Sequence, residues 1–171
     1  LSWATAFTTV QEAIDRATVV GADEIWVAEG VYDEPRANNG VLQLRPNVAL
    51  YGGFAGSEDR RIDRDWDMHP TVIDGALADA GEPAAPVVNG FDDAVLDGFT
   101  IRGGRGNAGG GMINNGASPA ITNCLFTDNE ADSYGGAVYN LEGAAPTFTD
   151  CRFENNRAGL GGGAVAAIEA S

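Results

Sequence analysis

The sequence predicts an all-β solenoid, a right-handed parallel β-helix with an N-terminal capping α-helix, and three observations lead to that fold class. A glycine pair followed by two apolar residues occurs three times, at 110–113, 135–138 and 162–165. Between the glycine pairs, apolar residues recur at positions i, i+3 and i+5. The copies of this second pattern are Leu96-Phe99-Ile101, Ile121-Cys124-Phe126 and Phe148-Cys151-Phe153. Self-similarity at a spacing of about 25–27 residues indicates a repeat architecture.

Each repeat is interpreted as one coil of the solenoid. Side chains at i+3 and i+5 lie on one face of a short strand. The turn before that strand contains Asp97-Gly98, Asn123 or Asp150, which are residue types that tolerate a left-handed backbone. The glycine pair opens another apolar strand, which ends near Asn115 or Asn140. Strands of successive coils are expected to pair in parallel at about 4.8 Å.

Asparagines recur at equivalent places in the repeats. Asn129 and Asn156 share one repeat position, and Asn115 and Asn140 are predicted to share another. Asparagines stacked on successive coils can bond each other's amides and the main chain. Both pairs are therefore interpreted as internal structural ladders and not as sugar-binding residues.

The whole chain, 1–171, is predicted to form a single β-helix domain. Residues 1–20 form a cap, residues 21–90 form early coils with loop insertions at 57–70 and 76–86, and residues 91–171 form regular repeats whose carboxy-terminal end is uncapped. The expected strands of the early coils are 25–27, 41–44, 48–51 and 72–74. Gly52-Gly53 is expected to turn a corner, and 103–111 is interpreted as a loose glycine-rich turn.

The amino-terminal cap is predicted to contain one amphipathic helix. Thr9-Val10-Gln11-Glu12 matches a capping box, with Thr9 as the N-cap and Glu12 at the third helical position. Phe7, Val10, Ile14 and Ala17 follow helical spacing, so the helix is expected from Thr9 to about Thr18. The first coil of a solenoid exposes strand edges and an open core, which this helix would cover.

The composition is strongly acidic, with a net charge of −15 and a pI near 4.1. This balance argues against nucleic acid and against anionic membrane surfaces as partners. All ten basic residues are arginine, so Schiff-base catalysis and a lysine general base are excluded within this chain. No apolar run is long enough to span a bilayer, and no signal peptide is recognised.

The two cysteines, Cys124 and Cys151, occupy the same repeat position. Stacked coils would make their side chains neighbours in one inward ladder. Two interpretations remain open: a pair of small buried thiols, or a disulfide between coils, since adjacent strands lie near the lower limit of bridgeable Cα distances. A catalytic or metal role is not favoured, because no histidine accompanies them.

Two clusters of acidic residues are candidate sites. Asp92, Asp93 and Asp97, with Arg102 and Arg105, are the candidates for acid–base chemistry on one outer wall, although their spacing is not diagnostic.

Asp63, Asp65 and Asp67 have the spacing that begins a calcium loop but lack the glycine such a loop needs at its sixth position. Calcium is thus the one possible cofactor, against the alternative of a solvated loop with Asp–Arg pairs and Trp66 tucked against the solenoid. His69 is predicted to be a surface or loop-packing residue.

A family resemblance accompanies these patterns. The segments Gly-Gly-Ala-Val at 135–138 and 162–165, with Phe-x-x-Asn at 126–129 and 153–156, resemble the paired repeat motifs of the polymorphic outer-membrane-protein group. The stretches 2–7, 25–32 and 50–56 are similar to the start of many large bacterial secreted β-helix proteins. The resemblance implies a surface-displayed β-helix of the pectin-lyase-like superfamily, which also contains polysaccharide lyases and hydrolases, adhesins and phage tailspikes. Fold alone does not select among these activities.

The sequence therefore predicts a non-enzymatic structural or adhesive β-helix, located extracellularly or at the cell surface. Its uncapped end is expected to dock head to tail on an identical subunit, a heterologous contact that produces filaments. The alternative is a polysaccharide-binding or lyase-like module of a larger exported protein. Expected partners are other copies of this chain, and on the alternative reading polysaccharide or cell-surface ligands.

Overall fold

A computed structural model describes residues 3–17, 23–33, 42–76 and 86–168, which wind into a parallel β-solenoid of about five turns. One α-helix, α1, spans Val10–Arg16, and short 3₁₀ turns lie at Trp3–Thr5 and Arg61–Asp63. The strands, in chain order, are β1 (Asp23–Ala28), β2 (Gly30–Tyr32), β3 (Leu42–Gln43), β4 (Val48–Phe54), β5 (Thr71–Asp74), β6 (Val88–Asn89), β7 (Val95–Asp97), β8 (Phe99–Arg102), β9 (Arg105–Ala108), β10 (Met112–Asn115), β11 (Ala120–Thr122), β12 (Leu125–Thr127), β13 (Glu130–Tyr134), β14 (Val138–Leu141), β15 (Thr147–Thr149), β16 (Arg152–Glu154), β17 (Arg157–Ala158) and β18 (Val165–Ile168).

The strands form four sheets that run along the solenoid. The first sheet has the order β1-β4-β7-β11-β15, the second β2-β5-β8-β12-β16 and the third β3-β6-β10-β14-β18. A fourth sheet, β9-β13-β17, is confined to the later turns. We call β1–β3 coil 1, β4–β6 coil 2, β7–β10 coil 3, β11–β14 coil 4 and β15–β18 coil 5. The predicted parallel β-solenoid is confirmed.

The core is built from ladders of inward side chains in register. In the first sheet, Ile121 pairs with Leu96 on one side and Phe148 on the other. In the second sheet, Phe126 lies between Ile101 and Phe153 in the same way. The members in coils 3 and 4 are fully buried, because a parallel stack places identical strand positions one above another. The predicted i, i+3, i+5 registry is confirmed.

One predicted alignment is wrong by a single residue. Met112 pairs with Val138 and Asn114 with Asn140, whereas Asn115 pairs with Leu141. Three consecutive glycines, 109–111, made the choice of pair ambiguous. The structure resolves the ambiguity by conformation, since Gly109, Gly135 and Gly162 all have a φ between 60° and 65°. A left-handed residue three positions before the inward side chain thus sets the register, and Asn115 and Asn140 do not share a position.

Residues with a left-handed backbone recur at equivalent corners of the later coils. Gly98, Asn123 and Asp150 have φ values of 81°, 50° and 51° at the turn between the first and second sheets. A second column of left-handed residues, at the end of the second sheet, is Gly103, Asp128 and Asn155. Asn and Asp accept this conformation because their short polar side chains bond locally. The predicted turn residues are confirmed.

The amino-terminal helix begins as predicted. Thr9 is the N-cap, and the Glu12 N–H donates to Thr9 Oγ1 at 3.3 Å. The helix ends at Arg16, and Thr18 lies outside the described residues. Val10 and Ile14 are buried against the core, so the apolar stripe covers the open end of coil 1.

The buried side chain of Gln11 completes the edge of the third sheet. The Gln43 N–H donates to Gln11 Oε1 at 2.8 Å, and Gln11 Nε2 donates to the Gln43 carbonyl oxygen at 3.4 Å. Edge strands carry unpaired backbone groups, and here a side-chain amide takes the place of a neighbouring strand. The sequence pattern identified the helix as a cap but missed this contact.

Two details of the early and middle coils differ from expectation. Gly52 and Gly53 do not end the strand; they lie within β4, where the pairing with β1 shifts register between Trp26 and Ala28. The buried Thr71 hydroxyl accepts a hydrogen bond from the Gly53 N–H at 2.9 Å and so stabilises this bulge. The stretch 103–111 is not a loose turn, because it contains β9 and starts the fourth sheet.

The two insertions are described to different extents. Residues 57–70 leave the wall between β4 and β5 as an irregular loop, as predicted. In the other insertion, residues 77–85 lie outside the described residues, as do residues 34–41 of the first coil.

Candidate functional site

The acid–base candidates do not form one constellation. Asp92 and Asp93 lie in the turn between β6 and β7, where Asp92 Oδ1 accepts the Ser118 N–H at 2.7 Å and Asp93 has a φ of 57°. Asp97 lies at the end of β7, in another wall of the solenoid. Asp92 and Asp93 therefore shape a corner, and the structure does not bring them together with Asp97.

The candidate arginines pair with carboxylates of neighbouring coils. Arg102 binds Asp74 through Nε and a terminal nitrogen, both at 2.8 Å, and so links coil 3 to coil 2. Arg105 pairs with Glu130 of coil 4. Acid–base hydrolysis needs two carboxylates that flank one substrate bond. These residues instead form ion pairs along the axis of the solenoid.

Asp97 is engaged by the charged insertion. Arg64 contacts Asp97 Oδ2 at 2.7 Å, and the two side chains are only 9% and 13% exposed. Arg64 also donates to the carbonyl oxygens of Gly52 and Asp97, both at 3.1 Å. Its guanidinium lies 5.1 Å from the ring centroid of Tyr51 and 5.0 Å from that of Trp66. One arginine therefore fastens the insertion to two coils.

The predicted packing of Trp66 against the solenoid holds for its backbone and not for its ring. The backbone of Trp66 lies over Gly53, where an added Cβ would approach the Trp66 Cα at 2.8 Å. Trp66 itself remains 38% exposed. The sequence predicted Asp–Arg pairs within the insertion, and Arg60–Asp63 is one of them. It did not predict that Arg64 would reach a carboxylate of the next coil.

The three aspartates of the calcium candidate have separate surroundings. Asp63 pairs with Arg60. Asp65 Oδ1 accepts the N–H groups of Asp67 and Met68 at 3.1 and 3.0 Å. Among the described residues, no group of three or more His, Cys, Asp or Glu side chains is arranged to hold a metal ion. A calcium site at these aspartates stays a prediction.

Two other polar residues of this wall have local roles. Glu58 lies under the backbone N–H groups of residues 55–57. Burial opposes ionisation of this carboxyl, but these main-chain donors outweigh it and lower its pKa. His69 Nδ1 lies 2.9 Å from Glu29 Oε2 across the wall. The expected loop-packing role of His69 agrees with that contact.

The asparagines form ladders inside the wall. Asn156 Oδ1 accepts from the N–H and the Nδ2 of Asn129, at 3.1 and 3.0 Å. Asn129 Oδ1 in turn accepts the Gly104 N–H at 3.1 Å. Asn114 Nδ2 donates to Asn140 Oδ1 at 2.8 Å. The amides of Asn129 and Asn156 are bonded to protein groups of adjacent coils, which supports the structural interpretation. Asn114 Oδ1, by contrast, is buried without a hydrogen-bond partner among the described residues.

The cysteines are neighbours in the stack and both are free thiols. Cys124 is buried in coil 4, and Cys151 is half-buried in coil 5. Burial raises the pKa of Cys124 well above its ordinary value. The hydrogen bond from Cys124, which outweighs partial burial, lowers the pKa of Cys151 to about 7.

The repeated pattern of strand pairing and side-chain burial is interrupted most at the outer face of coil 5. Within the described ranges, β15, β16, β17 and β18 each pair with a strand of coil 4 only. Phe148 and Phe153 are only partly buried, although Ile121 and Phe126 in the same register are fully buried. Leu160, Val165 and Ile168 are exposed at the same end. This face presents unpaired backbone groups together with apolar side chains.

A shallow groove of about 370 Å³ lies on the side wall and was not found from the sequence. Its lining combines two amides with apolar side chains: Asn107, Ala108, Ile113, Asn115, Tyr139 and Leu141. The ring of Tyr139 is stacked on that of Tyr134, with centroids 6.4 Å apart and planes 16° apart. The outward positions of β10 and β14, read from strand alternation, were the available signal.

No helix in the described part of the chain is long and apolar enough to cross a membrane. The sequence model of one protein family, the Chlamydia polymorphic membrane protein (Chlamydia_PMP) repeat, matches residues 123–141 and 150–168. No curated protein and no solved structure matched the chain.

The matched segments coincide with structural units. Each begins at a left-handed turn residue, Asn123 or Asp150, and ends in a strand of the third sheet. Each therefore covers most of one coil, from the second sheet to the third. This repeat is typical of outer-membrane or surface proteins and is not an enzymatic module. Two segments of the chain, in coils 4 and 5, are thus similar to the Chlamydia polymorphic membrane protein repeat, and the parallel β-solenoid that contains them fits a β-helix of that kind.

Proposed function

We propose that this chain is a non-enzymatic, adhesin-like β-helix of the cell surface, which acts as a rigid rod and associates end to end through the open face of coil 5. The observation that carries the proposal is the loss of burial along the ladders, from Ile121 and Phe126 to Phe148 and Phe153. Exposed apolar groups beside unpaired strand edges favour the addition of another β-edge.

The amino-terminal end offers a matching edge. Within the described ranges, β1 and β2 each pair with one strand only. Ile25 and Tyr32, which occupy the inward register positions there, are also only partly buried. If coil 1 of a second copy followed coil 5, Ile25 would continue the ladder of Phe148, and Tyr32 that of Phe153. Helix α1 contacts both β3 and β1, so this contact would use β2 and the part of β1 that the helix leaves uncovered.

A head-to-tail contact joins two different faces and therefore grows without closure, whereas a contact between two copies of coil 5 stops at a dimer. Sedimentation velocity and electron microscopy over a range of protein concentrations distinguish the two. We expect species of increasing length that appear in micrographs as filaments. Protein that remains monomeric at every concentration would overturn the end-to-end assembly.

Two charge variants test which faces meet. Val31→Asp places a carboxylate on the amino-terminal edge, at a side chain that is 57% exposed. Phe148→Asp places one on coil 5. Each variant alone should block growth, and a mixture of the two should form only a heterodimer, because each retains one intact face. Dimers formed by Val31→Asp alone would indicate contact between two coil 5 faces instead.

Met68→Asp is the matched control for charge, because Met68 is 72% exposed in the side insertion and lies away from both ends. It should assemble as the unmodified chain does. Circular dichroism checks that Phe148→Asp still folds. Loss of assembly in Met68→Asp as well would mean that net charge, and not the end face, controls association.

A second candidate function is carbohydrate binding in the side groove. Stacked tyrosine rings provide an apolar platform, and the amides of Asn107 and Asn115 supply donors and acceptors. Binding sites of this kind combine an apolar surface with a few placed polar groups. Titration with neutral and acidic oligosaccharides, followed by Tyr139→Ala, tests the groove. Tyr51→Ala, on another wall, is the control that should not affect binding.

A further inference from the structure

The two thiols occupy equivalent points of adjacent strands. The Arg152 N–H donates to the Cys124 carbonyl oxygen at 2.8 Å, and Ile121 pairs with Phe148 just before the cysteines. Parallel neighbours are separated by about 4.8 Å, which is within the Cα range of disulfides. Cys151 Sγ reaches back to coil 4, where it lies 3.4 Å from the Ile121 carbonyl oxygen, and Cys124 Sγ lies 3.5 Å from the equivalent carbonyl oxygen of Leu96 in coil 3.

Their accessibility differs in a way that suits two distinct roles. Cys124 is 2% exposed and lies beneath coil 5. Cys151 belongs to coil 5, the outermost described coil, and is half-buried where it packs against the core. A disulfide reagent from solution can therefore reach the sulfur of Cys151, whereas Cys124 is reached through Cys151.

The charges around the pair are also defined. Asp150 lies beside Cys151 and Asp97 near Cys124, and both carboxylates oppose thiolate formation. The hydrogen bond that Cys151 receives from Cys124 outweighs this opposition, so that about half of Cys151 is thiolate at neutral pH. The thiolate is the nucleophile in exchange with disulfides.

We propose that Cys151 is an entry site for thiol–disulfide exchange with low-molecular-weight disulfides, and that Cys124 resolves the mixed disulfide to close a covalent link between coils 4 and 5. In the first step, Cys151 Sγ attacks one sulfur of the reagent, whose S–S bond breaks and releases one thiol. In the second, Cys124 loses its proton and attacks Cys151 Sγ, and the remaining half of the reagent leaves as a second thiol. The reagent is reduced by two electrons, and the two cysteines are oxidised by two.

The link would act on the least supported coil. Coil 5 has a neighbour on one side only within the described ranges, and such regions open locally before the rest of a protein. A covalent bond to coil 4 restricts that opening and the unfolded chain. We expect an increase in Tm on the order of 5 °C for a chain of this size. The end-to-end contact of the proposed function would cover Cys151, so the exchange is tested in the Val31→Asp background, in which every coil 5 face is expected to stay free.

The test is to treat the folded Val31→Asp chain with oxidised glutathione and to follow its intact mass. The expected product has lost two hydrogen atoms, carries no glutathione and runs as a monomer on a non-reducing gel. Cys124→Ser should instead keep one glutathione, because nothing resolves the mixed disulfide. Cys151→Ser should remain unmodified, because Cys124 is buried.

Three outcomes would overturn the proposal. The Val31→Asp chain with both cysteines could retain one glutathione, which would mean that Cys124 does not resolve the adduct. It could form disulfide-linked dimers, which would place the exchange between copies. It could also fail to react while folded yet react in urea, which would show that Cys151 is inaccessible. Because the Val31→Asp chain is not expected to assemble end to end, none of these outcomes is confused with the assembly experiments of the proposed function.

Discussion

Coils 1 and 2 differ from coils 4 and 5 in how they are held together. The early coils contain a bulge in β4, a long insertion and a helix, and each irregularity is stabilised by a particular side chain: Thr71, Arg64 and Gln11. Coils 4 and 5 have one comparable irregularity among their described residues, the register shift between Ala131 and Tyr134 in β13, where Ser133 Oγ donates to the Asn107 carbonyl oxygen. Elsewhere they repeat the same turn, asparagine and apolar positions.

The difference shows two ways of stabilising one architecture. An irregular coil depends on single residues that make several contacts, so it tolerates their loss poorly. A regular coil depends on a neighbour that repeats its pattern, so its stability depends on its place in the stack. Coil 5, which lacks a second neighbour among the described residues, has half of each repeated contact.

The largest expected effect compares Phe126 with Phe153, which stack with centroids 5.2 Å apart. Phe126→Ala should lower the free energy of unfolding by about 3–5 kcal/mol, because a fully buried ring leaves a cavity. Phe153→Ala, in the open coil, should lower it by only about 1–2 kcal/mol, since less apolar area is lost. Urea unfolding measures both. Equal losses would mean that coil 5 is as well covered as coil 4.

The next effect concerns the early coils. Arg64→Ala removes the cation of a nearly buried ion pair, leaves the Asp97 carboxylate with the Asn123 Nδ2 hydrogen bond but no opposite charge, and should cost about 3 kcal/mol. Arg60→Ala breaks an exposed pair in the same insertion and should cost less than about 1 kcal/mol. Thermal unfolding at matched salt compares them. If the two variants behave alike, the insertion is not fastened by Arg64.

In the asparagine ladder too, a substitution in coil 4 is expected to lower the free energy of unfolding more than the equivalent substitution in coil 5. Asn129→Ala removes an amide that bonds coils on both sides and leaves buried main-chain groups such as the Gly104 N–H without a partner, at a cost of about 2 kcal/mol. Asn156→Ala, at the half-buried position in coil 5, should cost about 1 kcal/mol. Chemical denaturation of the two variants tests the order, and a reversed order would contradict the ladder.

A smaller effect is expected at the amino-terminal cap. Thr9→Ala removes the acceptor of the Glu12 N–H and should cost about 1 kcal/mol. Thr9→Ser keeps the hydroxyl and is the matched control. Both can be compared by their melting temperatures, and an unchanged Thr9→Ala would mean that helix α1 contributes little to covering coil 1.

The last comparison concerns the reactivity of the two thiols towards alkylation, and little change in stability is expected. Cys151 has a pKa of about 7, so its alkylation by iodoacetamide should reach half its maximal rate near pH 7 and increase above it, because the thiolate is the reactive form. The pKa of Cys124 is raised by burial, and this thiol should stay unmodified in the folded chain. Peptide mass analysis assigns the modified residue. Alkylation of Cys124 at neutral pH would show that coil 5 opens readily.

Periodicity was the part of the fold that the sequence could reveal. Ladders such as Leu96, Ile121 and Phe148 were predictable because inward positions of stacked strands repeat the same residue types. The alignment of Asn115 with Asn140 failed because three adjacent glycines leave the spacing ambiguous, and only backbone conformation decides which of them is left-handed.

Periodicity could not predict contacts between residues that occupy different positions in the repeat. Arg64 reaches Asp97 and Arg102 reaches Asp74 across coils, and no repeat relates these partners. The proximity of Asp92, Asp93 and Arg102 along the chain suggested a shared site. In the structure they are separated, because the chain changes direction at each corner and Asp92 and Asp93 therefore lie on a different wall of the solenoid from Arg102.

The turn at Glu142–Gly143 has a practical consequence. Both residues are left-handed, and a Cβ added at Gly143 would meet no heavy atom within 4 Å. The turn links two strands whose pairing is complete without it. A foreign peptide inserted after Gly143 would project sideways from the solenoid and leave the strand pairing of every described coil intact. This position is therefore suitable for engineering the chain as a carrier of epitopes.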